Sequence, residues 1–164
     1  IGADEGADEG AGFRHMSADL PGAVLFCCSH NAIRSPMAEG IMKYYYGHRV
    51  FVDSCGVRPA ERNDFIVEVL DEIGVDISRH KAKSFDDLVD SSFDLVVSLS
   101  PEAHHKAMEL TRTMAIDVEY WPTIDPSLEM GSREQVLDAY RTCRDHLIKR
   151  MRDRFGDTGL PKVR

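Results

Sequence analysis

Four short apolar runs alternate with segments whose apolar residues recur at helical spacing, and this alternation constrains the chain more than any other feature. Ala23-Val24-Leu25-Phe26-Cys27 is a continuous apolar run, as expected of a strand buried on both faces. A helix is predicted from Pro36, with Met37, Ile41, Tyr44 and Tyr45 on its buried face and Gly47 as its stop. Val50-Phe51-Val52 reads as a second strand. Phe65, Ile66, Val69, Leu70 and Ile73 then repeat at helical spacing up to Gly74. Phe93 to Leu99 is a third buried strand, and Pro101 opens a helix at its first turn. Ile116 to Tyr120 is the fourth strand. Ser132 and Gln135 have capping-box spacing, after which Val136, Leu137, Tyr140, Leu147, Ile148, Met151 and Phe155 line one face as far as Gly156. Strand–helix alternation of this kind implies right-handed crossovers. The predicted fold is therefore three-layer α/β, a four-stranded parallel sheet with helices on both faces. Such sheets bind ligands beyond the carboxyl ends of their strands, so the loop after the first strand is where chemistry is expected.

The length of 164 residues suits one domain. Residues 2–11 repeat Gly-Ala-Asp-Glu and cannot bury enough apolar area to order themselves. Residues 1–15 are therefore expected to be a disordered, tag-like or linker segment, and 16–164 a single domain. The first segment holds four carboxylates and one arginine, a net of −3, so −5 of the formal −8 remains for the domain. An acidic domain without a Lys/Arg cluster is a poor nucleic-acid binder, and no apolar run is long enough to span a membrane. The four cysteines (Cys27, Cys28, Cys55, Cys143) are too few and too irregular for a disulfide scaffold. Reduced thiols and a cytoplasmic location are the expectation. No Cys/His spacing resembles a zinc site. His104 and His105, as helix neighbours, point in different directions, so no metal or other cofactor is expected.

The loop after the first strand reads Cys28-Ser29-His30-Asn31-Ala32-Ile33-Arg34-Ser35-Pro36. The Cys closes a buried strand, the Arg and Ser begin a helix, and five residues lie between Cys28 and Arg34. Five residues curled around an anion can aim consecutive backbone N–H groups at it, assisted by the positive end of the helix dipole. The same field stabilises a thiolate at Cys28. Arg34 can return across the loop and hold two phosphate oxygens with its planar fork, and Ser35 can donate to the sulfur. An arginine at a helix N-terminus is unfavourable unless an anion compensates. Ser29, His30, Asn31, Ala32 and Ile33 thus become candidate phosphate-cradle residues, with Cys28 as nucleophile and Arg34 as clamp.

These residues resemble the low-molecular-weight protein tyrosine phosphatase family. Its pattern, Cys-x-Gly-Asn-x-Cys-Arg-Ser-Pro-x-Ala-Glu, is matched at Cys28, Asn31, Arg34, Ser35, Pro36, Ala38 and Glu39. The likeness extends over about residues 22–156 in the order and spacing of elements. It implies that Asn31 holds the loop in shape, and it places Ser54 and His80 as supports of that asparagine. It also implies that Asp125, followed by Pro126 in a late loop, is the general acid. The implied activity is hydrolysis of phosphotyrosine or small aryl phosphates through a phosphocysteine, on a phosphorylated protein or a small substrate.

Three departures from the pattern stand out. His30 replaces a glycine, so the loop must accommodate a bulky residue there. Ile33 replaces a second loop cysteine. Ser127-Leu128 and Val57-Arg58 stand where aromatic walls are usual, so small aryl phosphates are expected to suit the site better than tight phosphotyrosine-protein recognition. The chain also resembles the thiol-dependent arsenate reductase branch, through Met37-Ala38-Glu39-Gly40 and Asp94-Leu95-Val96-Val97. Ser100 and Ala107, however, occupy the places of that branch's shuttle cysteines. A catalytically weak phosphate-binding module is the remaining alternative.

Overall fold

The computed structural model describes residues 20–88 and 92–161. The segment 1–15, set apart above, lies outside the described residues. Strands β1 (Ala23–Cys28), β2 (Phe51–Gly56), β3 (Leu95–Ser98) and β4 (Asp117–Tyr120) form one sheet in the order β2-β1-β3-β4. All three pairings are parallel. Helices α1 (Arg34–Tyr46), α2 (Asp64–Asp71), α3 (Pro101–Leu110) and α4 (Arg133–Phe155) connect or cover the strands, as the alternation required.

Strand alternation divides the core in two. Val24, Phe26 and Cys28 point to one side, where they meet Met37 and Ile41 of α1, Ile66 and Leu70 of α2, and Leu147 and Met151 of α4. Leu25 and Cys27 point to the other, where Cys55, Val96 and the small Ala103 and Ala107 of α3 close a thinner layer. Strand β1 lies between β2 and β3, so the crossovers leave it in opposite directions. Its carboxyl end is the topological switch point, and Cys28 is its last residue.

Helix α1 begins at Arg34, as the loop motif predicts, two residues before the start at Pro36 given by the apolar spacing. Pro36 sits in its first turn, where a missing N–H costs nothing. Its buried face also differs from the prediction: Tyr44 is 60% exposed, whereas Tyr46 is fully buried and donates from its hydroxyl to the Gly156 carbonyl. The helix is walled in by the sheet, α2 and α4, so every residue from Ser35 to Met42 is buried and no single stripe defines its inner face. The capping box of α4 forms as read, with Ser132 and Gln135 satisfying each other's backbone N–H groups. Arg144, on the α4 face, is buried and donates to the Val69 carbonyl (2.8 Å) and Glu72 (2.7 Å), pinning α2 to α4. Among the described residues no helix is long and apolar enough to cross a membrane.

Candidate active site

The loop from Cys28 to Arg34 is shaped by what its carbonyl groups do. Val57, Arg58 and Ala60 donate their N–H groups to the carbonyls of Cys28 (3.2 Å), Ser29 (2.8 Å) and His30 (2.9 Å). The His80 ring meets the Asn31 carbonyl at 3.1 Å, Asn63 donates to Ala32 (3.1 Å), and Met37 of α1 donates to Ile33 (3.1 Å). Six consecutive carbonyls are thus tied outward. In a planar trans peptide the N–H lies opposite the C=O, so outward carbonyls turn the N–H groups of the following residues into the bowl. Among the described residues none of the N–H groups from Ser29 to Ile33 has an acceptor. Such a row of inward amides is an anion nest.

Asn31 makes the curvature possible. It is the one non-glycine residue at positive φ (52°) among the described residues, in the region that asparagine tolerates best after glycine. Its side chain is fully used: Nδ2 donates to Ser35 Oγ (2.8 Å) and Ser54 Oγ (2.9 Å), and Oδ1 accepts the Lys83 N–H (3.0 Å). His30 has no such φ, so a bulky residue stands in the family's glycine position without left-handed backbone. Its ring is exposed and lies 3.5 Å from the Arg58 guanidinium. Gly56, at the end of β2, is the glycine the loop does need: a Cβ there would sit 2.6 Å from the Asn31 nitrogen.

The Cys28 sulfur is buried at the base of the bowl, 3.4 Å from the Ser35 N–H and 2.9 Å from its hydroxyl. The first turn of α1 therefore points the Ser35 N–H at the sulfur, and the Ser35 hydroxyl lies within hydrogen-bond distance of both the sulfur and the Cys55 carbonyl (3.3 Å). Arg34 donates one N–H of its fork to the Thr123 carbonyl (2.9 Å), which joins the loop to the segment bearing Asp125. Asp125 is half-buried and caps a 3-10 turn, Pro126–Leu128, accepting from the Ser127 N–H (2.9 Å) and hydroxyl (2.7 Å). The Tyr140 hydroxyl, held by Asn63, is pushed up first by burial and then by the negative charge of Asp125, so the Asp125 loop reaches α4 beside the 57–63 segment.

Further residues support the loop from behind. Glu39 is a buried carboxylate on α1, accepting from the Ser54 hydroxyl and from Lys43 (2.5 Å) and lying 3.8 Å from His80 Nδ1. Glu39 matches the family pattern in sequence, but its burial and its partners are tertiary. His80 is shifted downward, first by burial; its hydrogen bond to the Asn31 carbonyl and the Glu39 charge act in the other direction. Lys83 pairs with Asp53 of β2 (2.8 Å), and Ser29 meets Ser100, the N-cap of α3, at 3.1 Å.

Of the other three thiols, two lie across the sheet from the bowl and one lies on its side. Cys27 and Cys55 lie on the opposite side of the sheet, both raised by burial, and the Cys27 sulfur contacts the Val97 carbonyl at 3.7 Å. Cys143 of α4 shares the Cys28 side; burial pushes its thiol up to about 12, opposed by the Arg34 charge and assisted by Asp125 and Cys28. His104 bonds Ser98 (2.9 Å) and stacks on Tyr120, while His105 faces Glu109. Among the described residues no three His, Cys, Asp or Glu side chains converge as metal ligands.

A family model described as low molecular weight phosphotyrosine protein phosphatase matches residues 23–156. The arsenate reductase of Bacillus subtilis is 31% identical over 136 residues, 83% of this chain and 96% of that protein. Among solved structures, an arsenate reductase in the phosphate-binding state superposes with a TM-score of 0.64 at 26% identity, over 84% of this chain and 98% of the other. The tyrosine phosphatase AmsI of Erwinia amylovora shares the fold, with a TM-score of 0.66 over 87% of this chain and 95% of the other, at 17% identity.

Proposed function

The chain belongs to the low molecular weight phosphotyrosine protein phosphatase family, and on that footing we propose that it is a cytoplasmic, cofactor-independent phosphatase acting on phosphotyrosine or small aryl phosphates. The observation that carries this reading is the run of six outward-tied carbonyls above a sulfur held by the first turn of a helix. Such a bowl fits the three equatorial oxygens of a phosphoryl group in transfer, where catalysis is chiefly positioning and electrostatic stabilisation.

In the first step the Cys28 thiolate forms a bond to phosphorus as the phosphorus–oxygen ester bond breaks. The Asp125 carboxyl gives its proton to the leaving oxygen, and Arg34 and the loop amides hold the equatorial oxygens. Water then attacks the phosphocysteine, Asp125 takes its proton, inorganic phosphate leaves, and the Ser35 hydroxyl steadies the departing thiolate. Asn31, Ser54, His80 and Glu39 act by holding the bowl's shape.

Arsenate reduction is the second reading, favoured by the curated relatives that carry that name. Reduction needs two electrons, which a thiol relay supplies by forming a disulfide. Here Ser100 is a buried helix cap, Ala107 is packed beneath the sheet, and burial raises the Cys143 thiol. These placements favour hydrolysis. The test is release of p-nitrophenol from p-nitrophenyl phosphate, run beside arsenate reduction with thioredoxin or glutaredoxin systems as electron donors. Hydrolysis without arsenate-dependent thiol oxidation is the expected outcome. Arsenate reduction without hydrolysis would move the chain to the reductase branch, and neither activity would leave a binding module.

A further inference from the structure

The chain is acidic overall, yet Ser78-Arg79-His80-Lys81-Ala82-Lys83 carries a cation at every second position. The structure sorts these residues. His80 turns inward to the Asn31 carbonyl and Lys83 is spent on Asp53. Arg79 and Lys81 remain exposed, and among the described residues neither has a carboxylate within ion-pair distance. Both line an open groove of about 1260 Å³ that starts at Ala32 and Ile33 of the phosphate loop and at Ser127 of the acid loop. The groove's other charges nearly cancel: Arg62 is bonded to Asp64 and to the Ser78 carbonyl, leaving Glu61 as the opposing carboxylate.

We propose that this groove docks the segment flanking the phosphorylated residue of a protein substrate, and that Arg79 and Lys81 select acidic flanks. The proposal rests on the phosphatase reading and names its substrate class. A phosphate seated in the bowl places the neighbouring substrate residues at its mouth, and the groove is a continuation of that mouth past Ala32 and Ile33. Two exposed cations outside any salt bridge, Arg79 with Asp76 close enough to feel its charge, steer acidic segments and repel basic ones. A nucleic acid meets the same two cations but also the net negative charge of the rest of the domain, which disfavours it.

The test compares kcat/KM for a phosphotyrosine peptide flanked by glutamates with that for the same peptide flanked by lysines, each taken relative to p-nitrophenyl phosphate. The acidic peptide should be preferred by about 10-fold at low ionic strength, as expected for a few exposed charge pairs, with the preference shrinking in high salt. In the double variant Arg79→Glu, Lys81→Glu the preference should vanish or invert. Equal turnover of both peptides, or a preference that survives the double variant, overturns the proposal. So does inhibition of peptide turnover by a single-stranded oligonucleotide at concentrations near the peptide's KM, which would mark a general polyanion surface. If p-nitrophenyl phosphate is not hydrolysed at all, the phosphatase reading fails, while docking is still decided by fluorescence anisotropy of the two unphosphorylated peptides with the wild-type chain and the double variant.

Discussion

The floor and the rim of the site are built on opposite principles. On the floor, Asn31, Ser35 and Ser54 are fully buried, and each of their polar groups has a named partner. On the rim, His30 meets Arg58 only at 3.5 Å, Arg58 pairs with Glu102 in solvent, and Ile124 and Leu128 beside Asp125 are 85% and 71% exposed. A buried polar network is costly to disturb because every lost partner leaves a desolvated group unsatisfied. An exposed ion pair is worth little. The floor therefore fixes the chemistry and the rim is free to set what reaches it. Substitutions should divide accordingly.

The sharpest contrast lies at Cys28. Cys28→Ser should abolish steady-state turnover while leaving phosphate or vanadate binding intact, because the alcohol stays protonated and is a poor nucleophile. Turnover near that of the wild type would remove this residue from the mechanism. Next comes Asp125→Asn, expected to lower kcat by about 10²–10⁴ for substrates with poor leaving groups, the range for a positioned acid. The loss should shrink for activated aryl phosphates, whose leaving oxygen hardly needs a proton. A uniform loss across a leaving-group series would make Asp125 only the cap of its 3-10 turn. Arg34→Lys should cost about 10²–10³ in kcat/KM, since a point charge cannot replace a fork aimed at two oxygens.

The buttress behind the floor gives a pH-dependent effect. His80 is lowered in the fold, so the folded state prefers the neutral ring. Its contribution to stability is complete above the ordinary histidine value of about 6.5 and is lost as pH falls from there toward the folded value. Glu39, Lys83 and Arg62 are the charges around it: Glu39 opposes the downward shift, and Lys83 and Arg62 add to it. Thermal melts should show the wild type losing stability below that pH faster than His80→Gln. Parallel melting curves across the range would mean that His80 does not titrate against folding.

How much of this was legible in the sequence differs between the two regions for a physical reason. The strand–helix alternation, Cys28 and Arg34 follow from local periodicity and from a contiguous motif, whereas Ser54 and His80 are implied only by the family resemblance. Glu39's contacts, Gly56's close approach to Asn31 and the zipper of residues 57–63 along the loop are tertiary. They depend on β2 and α1 meeting across β1, which no local window contains. The face of α1 was misread for the same reason. A helix enclosed on nearly all sides has no amphipathic stripe to read, and the tyrosine that fills the core was decided by the seat at α4.

The smallest expected effect belongs to the rim and tests the comparison from its weak side. Arg58 stands near a position where aromatic walls are usual, and its guanidinium is occupied by Glu102 on one side and His30 on the other. Its side chain is 61% exposed, so the pair with Glu102 is screened by solvent. Its backbone, by contrast, belongs to the floor, because the Arg58 N–H donates to the Ser29 carbonyl at 2.8 Å. Truncation to alanine removes the first role and preserves the second. Arg58→Ala should therefore change kcat/KM for p-nitrophenyl phosphate by less than about 5-fold, the upper limit for an exposed pair worth up to 1 kcal/mol. The melting temperature should hardly move. Arg58→Pro, which deletes the N–H while also lacking the charge, should be far more damaging. A large loss in the alanine variant would place the guanidinium within the machinery of phosphate transfer. Equal behaviour of the two variants would mean that the carbonyl of Ser29 does not need its partner, and that the bowl keeps its shape by other means.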